Sequence, residues 1–405
     1  MSKTSRHPTL RGLFARFSAI LLGAIVASAG IVAMQLPFLH ERPSIHLSLD
    51  PYSSFGITPP PLAWPTQGSA AIDVPALGIT LAHHNQVVPI ASLTKLMTVY
   101  VALKALPLGT GQTGPCITVT SGDVLDYQHD KSQDDSAVIV EAGERLCEID
   151  LLDGVLVHSA ANYADMLAGM IAPTPEAFVA KMNATAKSLG LKNTHYADDT
   201  GISNDSVSTA LDQAKLSRTV MRSPLVRSIV DQTQVDLPVA GFVSSFTPLV
   251  GSNDVVGVKS GRTTAAGGCD VMALAYRLNG QRHLLYAVVL GQQGGNVLEK
   301  AGEAAYALAT SARLSQVDVA FAKDAVLGTI AFGKDVAPFG LAQASDVFWW
   351  DQNNTHPLVI RLRRLGYRIH RGEIVGWIEV HSVERPVPLV ALRSVAAPTL
   401  WHRIL

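Results

Sequence analysis

The sequence is poor in charged residues, and it lacks the zinc-binding motif of the largest group of zinc peptidases. Only 16% of its 405 residues are charged and the formal net charge is −1, so no excess of basic residues indicates nucleic-acid binding. No His-Glu-x-x-His pattern is present, and nothing else in the sequence indicates a metal or a cofactor. These absences argue against a nucleic-acid-binding protein and against a zinc peptidase.

Cysteine is also scarce, with three residues in the chain. Cys116 and Cys147 flank one segment, and we expect them to pair, as cysteines do in exported proteins. Cys269 lies in an apolar strand pattern and is interpreted as a small buried core residue rather than as a nucleophile.

One apolar segment near the N-terminus predicts contact with a membrane. The run from Phe17 to Met34 is uncharged and follows four basic residues, which is typical of a single span whose residues 1–16 stay in the cytoplasm. We therefore expect 17–36 to be an anchor in the cell membrane, with the rest of the chain outside the cytoplasm. The alternative is a cleaved signal peptide, because Ala27-Ser28-Ala29 fits a signal peptidase site and cleavage would leave a secreted or periplasmic protein.

The remaining chain divides into three parts by composition. Residues 37–66 are rich in proline and are predicted to be an extended linker. Residues 67–312 carry strand patterns at both ends and helical patterns between them, which predicts an α+β domain with an antiparallel sheet flanked by helices. Asn279-Gly280 predicts a tight hairpin in this sheet, and residues 151–170 predict a single helix. Residues 313–405 show short alternating runs and predict a small all-β domain.

Three motifs in 67–312 carry residues that are able to do chemistry. In "PIASLTKLMTVY", Ser92 precedes Lys95 by three positions at the start of a predicted helix, so both side chains share one helix face. One interpretation is a serine helix cap with a solvated lysine. The other is a nucleophile and its base, since the apolar neighbours of Lys95 predict burial, which lowers the pKa of an amine. The second motif contains Ser159 and Asn162, and the third is Lys259-Ser260-Gly261 at the end of a valine-rich strand.

Taken in this order, the three motifs resemble Ser-x-x-Lys, Ser-x-Asn and Lys-Thr/Ser-Gly of the serine D-alanyl-D-alanine carboxypeptidases, the low-molecular-mass penicillin-binding proteins. The resemblance covers about residues 67–312, and "HRGEIVGWIEV" is similar to the second, β-rich domain of that family. It implies a penicillin-binding/β-lactamase-like fold. It also implies removal of the terminal D-alanine from peptidoglycan stem peptides ending in D-Ala-D-Ala, with β-lactam antibiotics as covalent inhibitors and no cofactor or metal.

The resemblance also assigns a role to each motif residue. Ser92 is expected to be the acylated nucleophile and Lys95 its general base. Ser159 would relay a proton to the leaving D-alanine, and Lys259 would hold that relay and lower the proton affinity of Lys95. The substrate-binding residues would be Ser260 for the terminal carboxylate, Gly261 for close approach of the substrate backbone, and Arg262, whose backbone N–H would form the oxyanion hole with that of Ser92.

One departure from the family pattern lies in the second motif. The position two after Ser159 is Ala161, where the family has asparagine, and Asn162 follows one residue later. Either a local shift brings Asn162 into the cleft as a substrate-binding residue, or the family's amide is absent. The departure leaves a rival function open, a catalytically impaired protein that binds cell-wall peptides. A β-lactamase is a further alternative, with Glu176 as the nearest candidate for its deacylating acid. The position of Glu176 at a helix start is more typical of a first-turn carboxylate that the helix dipole favours.

Overall fold

The computed structural model describes residues 43–48, 61–278, 280–321, 323–343, 345–350, 358–380 and 386–397. The chain forms two compact units, and their described residues lie mainly in 61–318 for the first and in 43–48, 319–347 and 358–397 for the second. The N-terminal segment 17–36, predicted to be an anchor or a signal, lies outside the described residues. In the described part of the chain, no helix combines the length and apolarity that a membrane crossing needs.

The first unit contains eight α-helices among its described residues. Their bounds are α1 Lys95–Ala105, α2 Ser121–Ser132, α3 Glu148–Val157, α4 Ala161–Gly169, α5 Pro175–Leu189, α6 Ala210–Val220, α7 Pro224–Val230 and α8 Val297–Leu314. Two 3₁₀ turns, Pro75–Leu77 and Ala91–Thr94, precede α1.

The strands run through the whole described chain. Their bounds are β1 Ser44–Leu47, β2 Ser69–Val74, β3 Ile79–His83, β4 Val88–Pro89, β5 Cys116–Thr118, β6 Arg145–Cys147, β7 Val207–Ser208, β8 Gln234–Leu237, β9 Gly241–Ser244, β10 Val255–Thr263, β11 Gly267–Leu278, β12 Gln281–Gln292, β13 Gln316–Phe321, β14 Val326–Phe332, β15 Asp335–Leu341, β16 Ser345–Trp350, β17 Leu358–Leu362, β18 Arg368–Ile369, β19 Ile374–Val380, β20 Val387–Ala391 and β21 Val395–Ala396.

A five-stranded antiparallel sheet forms the centre of the first unit, in the order β10-β11-β12-β2-β3. Leu278 pairs with Gln281, so β11 and β12 are antiparallel neighbours, while Asn279 of the predicted turn lies outside the described residues. One face of the sheet packs on the helices through a large buried cluster that includes Leu96, Tyr163 and Val271. A second cluster, which includes Leu274 and Leu308, packs α8 on the other face. The predicted α+β arrangement of sheet and helices is therefore present.

The predicted single helix over 151–170 is instead two helices, α3 and α4. The N–H groups of His158 and Ala160 both donate to the carbonyl oxygen of Gly154, which closes the end of α3. Ser159 then adopts a left-handed backbone conformation with φ of 63°, which interrupts the helix before α4 begins. Apolar periodicity continues across the break, and for that reason the sequence pattern did not show it.

The second unit is built on a six-stranded antiparallel sheet in the order β1-β14-β15-β20-β19-β17, as the predicted all-β character of this part requires. Its first strand corrects one prediction. Residues 44–47 lie in the stretch predicted to be a linker, yet they pair with β14 from Ser44 opposite Ala331 to Leu47 opposite Gly328. All four residues of β1 are exposed; Ser44-Ile45-His46-Leu47 does alternate polar and apolar side chains, but the run is short and lies between Pro43 and Pro51, which favours a linker.

The end of the same predicted linker also belongs to a folded part. Leu62 is buried in the cluster beneath α8, and the N–H of Ala63 donates to Ser311 Oγ at 2.9 Å.

The cysteine predictions are both confirmed, because Cys116 and Cys147 form a disulfide between β5 and β6, and Cys269 is free and fully buried.

Candidate active site

An open cleft of about 890 Å³ brings together residues from all three sequence motifs. Ser92, Lys95, Ser159, Ser260, Gly261 and Arg262 all line it. Its other walls come from the end of α2 and the residues that follow, from Gly201 to Asn204, and from the start of α8. Residues separated by more than 160 positions in the chain therefore meet at one edge of the central sheet.

Ser92 and Lys95 are in direct contact at the floor of this cleft. Ser92 lies in the 3₁₀ turn Ala91–Thr94, which continues directly into α1 with Lys95 as the first helical residue. Lys95 Nζ lies 3.2 Å from Ser92 Oγ and donates to the carbonyl oxygen of Thr200 at 2.7 Å. The side chain of Ser92 caps neither helix, and Lys95 is only 1% exposed. The interpretation as a helix cap with a solvated lysine is therefore wrong.

Burial also sets the protonation of this lysine. Removal from water is the largest influence and lowers the pKa of Lys95 below the ordinary lysine value of 10.5. The carboxylates of Asp165, Asp198 and Asp199 act in the opposite direction and partly offset that effect. An amine with a lowered pKa, in contact with a hydroxyl, is suited to accept the hydroxyl proton.

Ser159 lines the cleft from the break between α3 and α4. It is 3% exposed, and its left-handed backbone is one that non-glycine residues seldom adopt. Such conformations persist where surrounding structure holds them, and they are common at functional sites. The structure thus places Ser159 in the cleft with the first motif, as predicted.

Lys259 and Ser260 lie on β10, at the edge of the central sheet. Lys259 is fully buried, and its Nζ donates to the carbonyl oxygen of Ser260 at 2.9 Å. Burial first, and then the charge of Lys95, lower the pKa of Lys259 well below the ordinary value. Among the described residues no hydrogen bond joins Lys259 to Ser159, so the predicted support of the proton relay is not made in this structure. Ser260 Oγ donates to the carbonyl oxygen of Phe246 at 2.8 Å.

The edge position of β10 also leaves backbone groups available along the cleft. Gly261 packs directly against the backbone of Ser92, and Arg262 follows it with its side chain largely exposed. An edge strand presents N–H and C=O groups that have no partner in the sheet. A peptide in the cleft can pair with such groups.

The prediction that Asn162 binds substrate is wrong in this structure. Asn162 is 1% exposed, its Oδ1 accepts from the N–H of Val138 at 3.1 Å, and its Nδ2 donates to the carbonyl oxygen of Val138 at 2.8 Å. Both ends of the amide are therefore used inside the protein. Ala161, the first residue of α4, lines the cleft instead. A one-residue step along a helix turns a side chain by roughly 100°, which is why the neighbouring amide does not replace the missing one.

The cleft also contains a group of acidic residues that sequence reasoning missed. Asp130, Asp134 and Asp135 line it from the end of α2 and the segment that follows. The stretch "HDKSQDDS" is unusually charged for a chain with 16% charged residues, and that contrast was the available signal. Glu176, the candidate for a deacylating acid, lies in the first turn of α5, outside the cleft lining.

Comparison with known proteins identifies what the chain is similar to. Residues 78–294, more than half of the chain, match the sequence profile of a family described as D-alanyl-D-alanine carboxypeptidase. A D-alanyl-D-alanine endopeptidase of Pseudomonas aeruginosa is 33% identical over 198 residues, which are 45% of this chain and 58% of that protein. The D-alanyl-D-alanine carboxypeptidase DacF of Bacillus subtilis is 32% identical over 133 residues, which are 33% of this chain and 32% of that one. The chain thus spans less than two thirds of either relative.

A solved structure extends the similarity to the fold. Penicillin binding protein 6B of Escherichia coli superimposes with a TM-score of 0.58 at 23% identity, covering 84% of this chain and 98% of that one. The predicted penicillin-binding fold is thereby confirmed.

Proposed function

Because the chain belongs to the D-alanyl-D-alanine carboxypeptidase family, we propose that it is a serine-type carboxypeptidase that removes the terminal D-alanine from peptidoglycan stem peptides. The observation that carries the proposal is the contact between Lys95 Nζ and Ser92 Oγ at 3.2 Å, in a buried setting that lowers the pKa of the amine. Two of the relatives are themselves named D-alanyl-D-alanine carboxypeptidases, DacF of Bacillus subtilis and DacC of Escherichia coli, which supports the same class of reaction.

The proposed reaction has two stages. Ser92 Oγ attacks the carbonyl carbon between the two terminal D-alanines while Lys95 takes the hydroxyl proton. The oxyanion that forms lies between the backbone N–H groups of Ser92 and Arg262, an arrangement whose donors are each worth roughly 100- to 1000-fold in rate in other enzymes. The C–N bond then breaks, and the D-alanine nitrogen leaves with a proton delivered through Ser159. Water hydrolyses the resulting ester of Ser92 and releases the shortened peptide.

The binding half of the proposal rests on β10. The penultimate residues of the peptide would lie along the edge of this strand beside Ser92. The predicted role of Gly261 changes, because the missing Cβ of Gly261 makes room for the backbone of Ser92 and not for the substrate. Ser260 would receive the terminal carboxylate, for which its hydroxyl has to turn from the carbonyl oxygen of Phe246. β-Lactam antibiotics would enter the same cleft and acylate Ser92.

The first experiment is labelling of the protein with a tagged penicillin followed by mapping of the adduct, together with measurement of D-alanine release from a peptide ending in D-Ala-D-Ala. We expect an adduct on Ser92 that is absent in Ser92→Ala and strongly reduced in Lys95→Ala. Ser188→Ala is the matched control, because Ser188 is exposed on α5 and should leave labelling unchanged. An adduct elsewhere, or labelling that survives Ser92→Ala, would contradict the assignment.

A second candidate function is favoured by one observation, the replacement of the family's cleft amide by Ala161 while Asn162 is bound to Val138. Under it, the protein binds stem peptides but acylates slowly. A penicillin adduct without D-alanine release would favour this candidate over the carboxypeptidase. Rapid turnover of penicillin would instead favour the β-lactamase alternative.

We also propose that residues 17–36 place the folded units outside the cytoplasm, as a retained anchor or as a cleaved signal. The proposal rests on the apolar run and on the basic residues that precede it. Fractionation of cells that make the full chain tests it. An anchored protein stays with the membranes after an alkaline wash, whereas a cleaved one is recovered in soluble form without residues 1–29. Recovery of the intact chain in the cytosol would contradict both forms of the proposal.

A further inference from the structure

We infer that the acidic wall of the cleft, Asp130, Asp134 and Asp135, selects peptides in which the residue before D-Ala-D-Ala carries a free primary amine. The inference rests on the proposed function and names the substrate class of the same site. By the same chemistry, a peptide whose amine is already acylated is the poorer substrate.

The main observation is the state of Asp130. This residue is 7% exposed, lines the cleft, and has no hydrogen-bond partner for its Oδ2 among the described residues. A buried carboxylate oxygen without a partner is costly, and the chain supplies no cation within 4.0 Å of it in the described residues. A ligand that brings an ammonium group to this wall places a positive charge beside a carboxyl group that has no counter-ion in the described residues.

The neighbouring acids add negative charge to the same wall of the cleft. The N–H of Asp135 donates to the carbonyl oxygen of Asp130 at 2.9 Å, so the two residues are held together, and Asp135 is half-buried at the cleft. Asp134 carries an exposed side chain whose Oδ2 lies 3.5 Å from Arg262 Nη2. Arg262 therefore offsets Asp134, while Asp130 and Asp135 remain for a ligand. The basic side chains that face them are Lys95 and the exposed His129.

The ion pair between Asp134 and Arg262 also shows where the wall lies. Arg262 is on β10, along which the peptide is proposed to bind, so the acidic wall is opposite that strand across the cleft. A long side chain on the residue before D-Ala-D-Ala can cross from β10 to this wall. The terminal carboxylate cannot bind there, because it would meet charges of its own sign.

A rival explanation assigns the acids to Lys95, since Asp135 raises the pKa of that lysine. The two explanations differ in one measurable way. If the acids act only through Lys95, neutralising them changes the rate for every peptide by the same factor. If they bind the substrate amine, the change depends on whether the peptide carries that amine.

The test compares Nα-acetyl-L-Lys-D-Ala-D-Ala with the same peptide acetylated on its side-chain amine, using the full chain at one pH and one salt concentration. We expect kcat/KM for D-alanine release to favour the free amine by about tenfold, as for a single charge-assisted hydrogen bond. In Asp130→Asn the ratio should fall close to one. Asp126→Asn is the control, because Asp126 lies one turn earlier on α2, exposed and outside the cleft lining, and it should keep the ratio.

Asp135→Asn provides a second variant in case Asp130→Asn does not fold, and it should reduce the ratio in the same direction. A ratio near one in the unaltered protein, or an equal loss of rate for both peptides in the folded variants, would overturn the inference.

Failure of the proposed function gives a different result. If neither peptide releases D-alanine, the same ratio is measured as protection of Ser92 from labelled penicillin, and equal protection by the two peptides overturns the inference. If penicillin labels no residue, the proposed function and the inference fail together.

Discussion

No side chain fits between Gly261 and Ser92. A Cβ atom placed on Gly261 would lie 2.6 Å from the backbone nitrogen of Ser92 and 3.1 Å from its Cα. Real Cβ atoms essentially never come within 3.0 Å of a heavy atom outside their own residue and its chain neighbours, and here the obstacle is backbone, which cannot rotate away. β10 and the 3₁₀ turn that carries Ser92 can therefore approach each other this closely only while residue 261 is glycine.

The first prediction follows from this contact. Gly261→Ala should move β10 away from Ser92 and separate the two backbone N–H groups of the proposed oxyanion hole, with a loss of about 100-fold or more in the rate of penicillin acylation. Stopped-flow labelling measures the rate. Gly169→Ala is the control, because a Cβ on this glycine of α4 would meet no atom within 4 Å. An unchanged rate in Gly261→Ala would show that the strand does not form the oxyanion hole.

The second prediction concerns the structural role of Asn162. Asn162→Ala leaves the N–H and the carbonyl oxygen of Val138 without their partner inside the protein, so the free energy of unfolding should fall by about 1–3 kcal/mol. Denaturant unfolding measures it. The exposed Asn193 provides the control substitution, Asn193→Ala, which should change stability little. If acylation were lost while stability stayed the same, Asn162 would have to act in the cleft after all.

The third prediction tests the missing amide directly. Ala161→Asn introduces an amide at the position that does line the cleft, and it should raise the acylation rate about tenfold by supplying a hydrogen bond. Ala161→Leu has a side chain of similar size without the amide and should lower the rate. If the two substitutions lower it equally, added bulk rather than the amide decides the rate at this position, and the prediction is wrong.

The fourth prediction is a pH dependence. Burial lowers the pKa of Lys95, so the neutral amine is present at lower pH than for an ordinary lysine. The rate of acylation should rise with pH as Lys95 loses its proton and should level off below pH 10.5. The pH profile of penicillin labelling measures this rise. A midpoint at or above that value would mean that Lys95 is not the base, or that nearby carboxylates outweigh burial.

The fifth prediction concerns stability and a second buried acid. Glu148, the first residue of α3, is 1% exposed, neither of its carboxyl oxygens has a partner among the described residues, and burial raises its pKa from 4.5 to about 7. Below pH 4.5 the side chain is protonated in both the folded and unfolded states. Between 4.5 and 7 the unfolded state ionises first, so the folded state loses stability as the pH rises.

Glu148→Gln removes this loss. The variant should melt about 2–4 °C above the unaltered protein at pH 8 and gain no such advantage at pH 4. Thermal unfolding across that range measures the difference, with Glu141→Gln as the control at an exposed position. A difference that does not vary with pH would show that ionisation of Glu148 is not its source.

The parts of the site that depend on residue spacing within one element could be predicted from the sequence. Ser92 and Lys95 are three residues apart in a continuous helical segment, so their contact follows from helix geometry. Asn162 could not be placed in the same way. Its direction depends on where α4 begins, and this is set by the backbone of Ser159, which no sequence pattern marks.

The acidic wall was missed for a different reason. Asp130 and Asp135 belong to a hydrophilic stretch that looks solvated in the sequence, and only tertiary packing buries Asp130 at the cleft. The central sheet could be predicted from the sequence, because most of its strands are apolar and long. The strand β1 could not be predicted with the same ease, because its alternating run is only four residues long, exposed and flanked by prolines, and its pairing with β14 joins residues far apart in the chain.

The position of β1 has a practical consequence for anyone preparing the protein in soluble form. Trimming to the region matched by the family profile, or to residue 67 where the sequence predicts the start of the α+β domain, would remove the edge strand that covers β14 and the buried side chain of Leu62. An uncovered edge is a template for aggregation. An expression product that begins before Ser44 keeps both.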